Sequence, residues 1–326
     1  MAEARAGRGE MKLEARLQIF SGSSNPWLAA QIVECLGVPP GRITVGAFED
    51  GETRVRLDEH VRGSDVFVVQ TLNAPVDHHI MELLLMVDAA RRCSASRVTA
   101  VVPYLAYAKQ EKKSQGAREP ISAKLLANVL ATAGVDRLLT VDLHSAALEG
   151  FFDIPVDHLR AAPMLASHFE RIDLPDVAVV SPDTGGVARA NELRERLGAS
   201  LAIIYRQRAH PRNGGRTLEM VGDVEGKRAI IVDDMITTGQ TLLSAAEALL
   251  ERGASEVYAC ATHGVFAGDA LEAIAQSQIK RVVVTDTIPL PSDARADKLE
   301  VLSVAPLIAE SILRIHKDIS LSSLFI

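Results

Sequence analysis

The stretch IIVDDMITTGQT at residues 230–241 decides the fold. A short β-branched run, residues 229–232, leads into two carboxylates, Asp233 and Asp234, then into a Thr/Gly-rich turn that opens the helical pattern SAAEALLERG at residues 244–253. In an open α/β sheet ligands gather at the carboxyl ends of the strands. Backbone N–H groups of Thr238, Gly239, Gln240 and Thr241, aided by threonine hydroxyls and the helix dipole, are expected to form a phosphate cradle. Asp233 and Asp234 would then accept hydrogen bonds from a sugar attached to that phosphate. The bland alternative is a capping loop with surface acids, and two adjacent acids directly after a buried strand weigh against it.

Working outward, short β-branched runs alternate with longer helical patterns, the signature of a parallel sheet with crossover helices. Strands are predicted at residues 17–20, 66–70, 98–102, 138–141, 177–180, 201–204, 229–232, 257–261 and 282–285. Asn25 is a good N-cap, Pro26 suits a first helical turn, and Gly37 closes that helix. Residues 122–133 before Gly134 and 241–252 before Gly253 read the same way. Residues 63–103 and 226–262 share one order of strand, loop, Ala/Leu-rich helix, Ala-Ser and strand, which predicts two similar halves joined near residues 151–159.

Composition bounds the rest. The 326 residues suit two α/β domains, and 48% hydrophobic with only 4% aromatic favours aliphatic parallel strands over an aromatic-cored sandwich. Charged residues at 24% exclude a largely disordered chain. A formal charge of -7 argues against broad nucleic-acid binding. Cys35, Cys93 and Cys260 lack the paired spacing of a zinc site or disulfide framework, which suits a reducing cytoplasm. No window approaches a membrane span, and residues 1–14, with charges of both signs, read as a flexible extension.

Other motifs are less specific alone. His144 follows a strand in VDLHS, and Asp183 follows another in SPDTGG; a lone His there is more often structural. FEDGE at residues 48–52 reads as a strand-to-turn segment. Two basic clusters stand out on loops: Lys109, Lys112, Lys113 and Arg118, then Arg206, Arg208, His210, Arg212 and Arg216.

Taken together, FSGSSNP (20–26), FEDGE, EHVRG (59–63), REPISAKL (118–125), VDLHS (141–145), GFFDIPVDHL (150–159), SPDTGG (181–186), VTDTIPLP (284–291) and SSLF (322–325) resemble the ribose-phosphate pyrophosphokinase family. The resemblance covers nearly everything after residue 16. It implies an α/β chain of two similar phosphoribosyltransferase-like domains, each a mostly parallel sheet flanked by helices. The divisions expected are 1–14 extension, 15–158 on the ATP adenine side, 159–316 with the ribose 5-phosphate loop, and 317–326 as a tail.

The implied reaction is Mg²⁺-dependent transfer of diphosphate from ATP to ribose 5-phosphate. Phe48, Asp50, Gly51, Glu52, Lys109 and Gln110 would hold ATP. Asp233, Asp234 and Thr237 to Thr241 would hold ribose 5-phosphate, while His144 and Asp183 would join ATP oxygens around Mg²⁺. Arg206, Arg208 and His144 are the expected catalytic groups, with the basic loops neutralising the triphosphate. Arg62, Ser320, Ser322 and Ser323 would make a regulatory site for phosphate and ADP. A cytoplasmic homohexamer is also implied, with neither nucleic acid nor membrane as partner.

Departures from the pattern sit in the chemistry. The family's Lys-Arg-Arg becomes Arg206, Gln207 and Arg208, replacing a compact ammonium with a planar fork. Arg-Gln-Asp-Arg-Lys becomes Lys109, Gln110, Glu111, Lys112 and Lys113, and the loop's usual aspartate is Thr237. Three readings stand at this point: an active pyrophosphokinase, a catalytically weak nucleotide-binding regulatory paralogue, and a phosphoribosyltransferase.

Overall fold

The computed structural model describes residues 15–207, 217–290 and 297–324. The first half carries β1 (Leu17–Ser21), β2 (Ile43–Ala47), β3 (Thr53–Leu57), β4 (Asp65–Val69), β5 (Arg97–Val102), β6 (Arg137–Val141) and β7 (Val156–Leu159). Of these, five form a parallel sheet in the order β1-β4-β5-β6-β7. The second half carries β8 (Val177–Ser181), β9 (Ser200–Gln207), β10 (Thr217–Val221), β11 (Arg228–Ile236), β12 (Glu256–Gly264), β13 (Arg281–Thr285) and β14 (Leu299–Leu302), ordered β10-β9-β8-β11-β12-β13-β14.

The run β8-β11-β12-β13-β14 repeats the order of the first sheet. In both halves an antiparallel hairpin interrupts the chain after the first strand. The β2–β3 hairpin stands as its own small sheet, whereas β9 joins the larger sheet parallel to β8 and pairs with β10 on its other edge. The two similar halves expected from the sequence repeat are therefore present.

Helices α1 (Pro26–Leu36), α2 (Val76–Arg92), α3 (Ser122–Ala133), α4 (Ala162–Ile172), α5 (Val187–Leu197), α6 (Gln240–Glu251), α7 (Ala270–Gln276) and α8 (Ala305–His316) complete the layers. Asn25 caps α1 by accepting from Leu28 N–H at 3.2 Å, and Gly37 closes it in the left-handed region. One core joins Ile19, Phe67 and Leu139 of the first sheet to Val179, Ile230 and Val283 of the second, through α1, α4, α5 and α8. Two outer cores place α2 and α3 on the far face of the first sheet and α6 and α7 on the far face of the second. Both sheets are covered on both faces, which is why their central strands are continuous aliphatic runs.

The last helix returns to the first half. α8 packs on α1, and Arg97 forks onto Asp65 at 2.8 and 2.6 Å while also donating to the Ile315 carbonyl at 2.9 Å. His316 Nδ1 lies 2.8 Å from the same carboxylate. The chain's end thus locks the two sheets into one body.

All nine predicted strands form, and the structure adds β2, β3, β7, β10 and β14. The added strands are short, or alternate with charge as TRVRL does, so they lack the apolar signal of a buried strand. Three predicted strand ends move: β9 runs on to Gln207, β12 to Gly264 and β11 to Ile236, the last because its pairing with β12 continues through Met235 and His263. Asp233 and Asp234 consequently lie within a strand.

Ile312 sits fully buried between the halves. Replacing it with Ala is expected to lower unfolding free energy by roughly 2–5 kcal/mol in a urea titration. A change below about 1 kcal/mol would contradict the packing described.

Candidate active site

At the end of β11, Thr237, Thr238 and Gly239 form the turn into α6, whose first residues are Gln240 and Thr241. Gly239 caps the helix with φ of 76°, a left-handed conformation that glycine adopts without a Cβ penalty. No side chain caps this helix. Its first-turn N–H groups and the positive end of its dipole are therefore offered to an anion. The turn lines a cleft shared with Lys109, His144, Asp183 and Asp233.

The two halves meet in this cleft. His144, just after β6 of the first sheet, places Nδ1 2.7 Å from Asp234 Oδ2 on β11 of the second. Arg189, in the first turn of α5, approaches Asp233 Oδ1 at 3.4 Å and Asp234 Oδ1 at 3.6 Å. Burial acts to raise the Asp234 carboxyl, but the His144 hydrogen bond and the Arg189 charge outweigh it and hold the group well below the usual carboxylate range. Burial, with the neighbouring Asp234 adding to it, pushes Asp233 up to about 7. The Asp234 hydrogen bond lifts His144 above the usual imidazole value against its own desolvation. Asp234 is thus the charged partner of the imidazole, while Asp233, with 26% of its side chain exposed, is the acid open to a ligand.

Because the carboxylate only accepts, Nδ1 of His144 carries the hydrogen, and in the neutral ring Nε2 is the atom left to ligate a cation. Asp183, after β8, accepts the Gly186 N–H on Oδ1 at 2.9 Å, leaving Oδ2. Among the described residues, no group of three or more His, Cys, Asp or Glu is arranged to hold a metal unaided. The donors here fit a hard cation that draws most of its ligands from phosphate oxygens and water, as Mg²⁺ does.

Lys109, in the loop after β5, crosses between the halves and donates Nζ to Thr237 Oγ1 at 2.7 Å. The Lys-for-Arg and Thr-for-Asp departures noted in the sequence therefore touch one another. Gln110 sits one residue on, its Oε1 accepting from Ser122 Oγ at 2.6 Å. Arg206 lies near the end of β9, its backbone opposite Leu218 of β10. Arg208, His210, Arg212 and Arg216 lie outside the described residues.

Other candidate residues stand apart. Phe48, Asp50, Gly51 and Glu52 make the tip of the β2–β3 hairpin, closed by Phe48 N–H to the Glu52 carbonyl at 2.8 Å, and none of them lines the cleft. Phe48 is 50% exposed, with the Arg54 guanidinium 5.7 Å from its ring. At the tail, Ser320 and Ser322 line a second cavity with Arg137, Asp157 and His158. Arg314 holds the Ser320 carbonyl at 2.9 Å and Ser323 Oγ at 2.5 Å. Arg62 is exposed and does not line that cavity.

Sequence reasoning missed Arg189. Its signal is a cation in the first turn of a helix, where the dipole disfavours it unless acids hold it there. Arg137 and Arg314, the cations beside the tail serines, carried no comparable signal.

Comparison with known proteins follows the same outline. Residues 17–134 match the family model described as the N-terminal domain of ribose phosphate pyrophosphokinase. Residues 209–326 match the one described as the phosphoribosyl synthetase-associated domain. The chain is 53% identical over 310 residues to the ribose-phosphate pyrophosphokinase of Caldanaerobacter subterraneus subsp. tengcongensis, covering 95% of this chain and 98% of the relative. It is 48% identical over 312 residues to that of Bacillus subtilis, covering 96% and 98%. The crystal structure of phosphoribosylpyrophosphate synthetase from Mycobacterium smegmatis aligns with a TM-score of 0.88 at 43% identity, covering 93% of this chain and 99% of that one.

Cys260 also borders the cleft, yet burial pushes its thiol up to about 12. Cys35 and Cys93 are exposed. A native-state titration with an aromatic disulfide is expected to label Cys35 and Cys93 promptly and Cys260 only after denaturation. Prompt reaction of all three thiols would contradict the packing around β12.

Proposed function

The chain belongs to the ribose-phosphate pyrophosphokinase family, and from that premise we infer that it transfers the diphosphate group of ATP to ribose 5-phosphate. The anomeric hydroxyl attacks the β-phosphorus, the bond from that phosphorus to the oxygen bridging to the α-phosphate breaks, and the hydroxyl proton is lost. The products are 5-phosphoribosyl 1-diphosphate and AMP. What carries this reading is the single cleft in which the uncapped α6 terminus, the acids of β11 and His144 of the opposite half converge.

The parts divide by chemistry. The turn from Thr237 to Thr241 holds the 5-phosphate on backbone N–H groups, and Asp233 takes the ribose hydroxyls. Asp234 acts through His144, fixing the ring by its Nδ1–H. His144 Nε2 and Asp183 would hold Mg²⁺ together with ATP oxygens, and that ion would neutralise charge on the transferring group. Lys109 stands between the two substrates and can exchange its Thr237 partner for a phosphate oxygen. Arg206 and Arg208 supply further positive charge from the strand and loop after β9.

Among the described residues, no side chain in the cleft is a strong base or an activated covalent nucleophile. Positioning and electrostatic stabilisation therefore carry the rate. The first half serves ATP and the second serves ribose 5-phosphate. Since the exposed Phe48 hairpin does not line its own chain's cleft, a homo-oligomer is the means by which it would meet ATP. We assign effector binding of phosphate or ADP to the tail cavity, with Arg137 in its lining and Arg314 holding the adjoining Ser320 carbonyl and Ser323 hydroxyl.

Purified chain incubated with Mg²⁺, ATP and ribose 5-phosphate is expected to form AMP; nucleotide binding without AMP would contradict the assignment. Diphosphate release that depends on an added nucleobase would indicate a phosphoribosyltransferase instead. Arg206→Ala is expected to lower kcat by roughly 10²–10³-fold with a much smaller change in the KM for ATP. Equal losses in both would remove Arg206 from the transition-state role.

A further inference from the structure

Asp142, two residues before His144, has a φ of 38°, in the left-handed region that aspartate visits more readily than most side chains and that here is fixed by a set of hydrogen bonds. Its amide donates to the Leu159 carbonyl at 3.0 Å, and its Oδ2 accepts from Ala161 N–H at 3.0 Å. The next amide, Leu143 N–H, donates to His158 Nε2 at 2.8 Å. These bonds come from the first half and tie the turn to β7.

The remaining two come from the second half. Thr262 Oγ1 donates to Asp142 Oδ2 at 2.6 Å, and His263 Nε2 lies 3.0 Å from the Asp142 carbonyl. Consecutive residues of a regular strand point to opposite faces, so neighbours on β12 should not both reach one residue. Here they do because the pairing of β12 with β13 is irregular: Cys260 lies opposite Val283, but His263 lies opposite Thr285. Three steps on β12 match two on β13, and such a bulge re-aims side chains.

His263 is 2% exposed. Its ring lies 5.0 Å from that of Tyr104. Because the Asp142 carbonyl can only accept, Nε2 carries the hydrogen, and Nδ1 faces the Thr287 hydroxyl at 2.9 Å. Burial lowers its pKa, in keeping with a neutral ring. The side chain therefore has one fixed orientation, and its donor is spent on the backbone that leads into His144.

We propose that His263 is a positioning residue for diphosphate transfer: through the Asp142 carbonyl it holds the left-handed turn that delivers His144 to Asp234. The inference rests on the assignment of His144 to the reacting centre. It makes the β12 bulge part of the active site although His263 itself touches no substrate.

Two amides separate this role from plain packing. The Gln side-chain nitrogen reaches the place of Nε2 and can still donate to the Asp142 carbonyl, whereas that of Asn reaches only the place of Nδ1. His263→Asn is expected to lower kcat roughly 10–100-fold while leaving the KM for ATP and for ribose 5-phosphate near wild type. His263→Gln is expected to recover most of the loss. Full activity in His263→Asn, or equal loss in both variants tracking a fall in melting temperature, would overturn the inference. Should both fail to fold, Thr262→Val, which removes the neighbouring grip on the same turn, is expected to lower kcat with little change in KM, and unchanged kcat would overturn it. Wild-type chain that forms no AMP would overturn the functional assignment itself, an outcome distinct from any of these.

Discussion

The hydrogen bond from His144 to Asp234 is the constraint around which the molecule is arranged. It joins the end of a strand in one sheet to the interior of a strand in the other, so it exists only if two separately hydrogen-bonded sheets are held in register. A charge-assisted bond of this kind contributes on the order of 1.5–3 kcal/mol, too little to position two sheets by itself. The central core through α1, α4, α5 and α8 and the Arg97–Asp65–His316 cluster supply that rigidity. The turn at Asp142 then converts it into the placement of one imidazole. Packing thus sets the geometry, and the hydrogen bond uses it.

Charge follows the same plan. The chain is acidic overall at -7, yet its acids at the cleft are each committed or tuned. Asp234 is held ionised by His144 and Arg189, while Asp233 is raised by burial. Lys109 and Arg189 bring cations to the same place from opposite halves. A substrate pair rich in phosphate meets fixed dipoles and a few placed cations rather than a broad basic surface, which suits a reaction whose charge develops at one phosphorus.

Much of this was legible in the sequence. IIVDDMITTGQT announced a strand, a turn and a helix, and the structure shows all three, with the helix start left without a side-chain cap. The repeat of strand, helix and strand foretold two similar sheets, because buried parallel strands must be aliphatic and so leave a strong pattern. The β2–β3 hairpin did not announce itself, since TRVRL exposes alternate arginines and carries little apolar signal. Nor did the contacts that complete the site, because Lys109 to Thr237, Arg189 to Asp234 and His263 to Asp142 all join residues far apart in the chain. Local pattern reports the elements; their meeting depends on the packing of both sheets against shared helices.

A double-mutant cycle on His144 and Asp234 tests most directly whether the two halves act through one contact. The kcat for AMP formation is measured for His144→Ala, Asp234→Asn and the pair together. If Asp234 works through the imidazole, the double variant loses little more than the worse single variant, a coupling of at least about tenfold. Losses that simply multiply would show the two residues acting independently and would contradict the account.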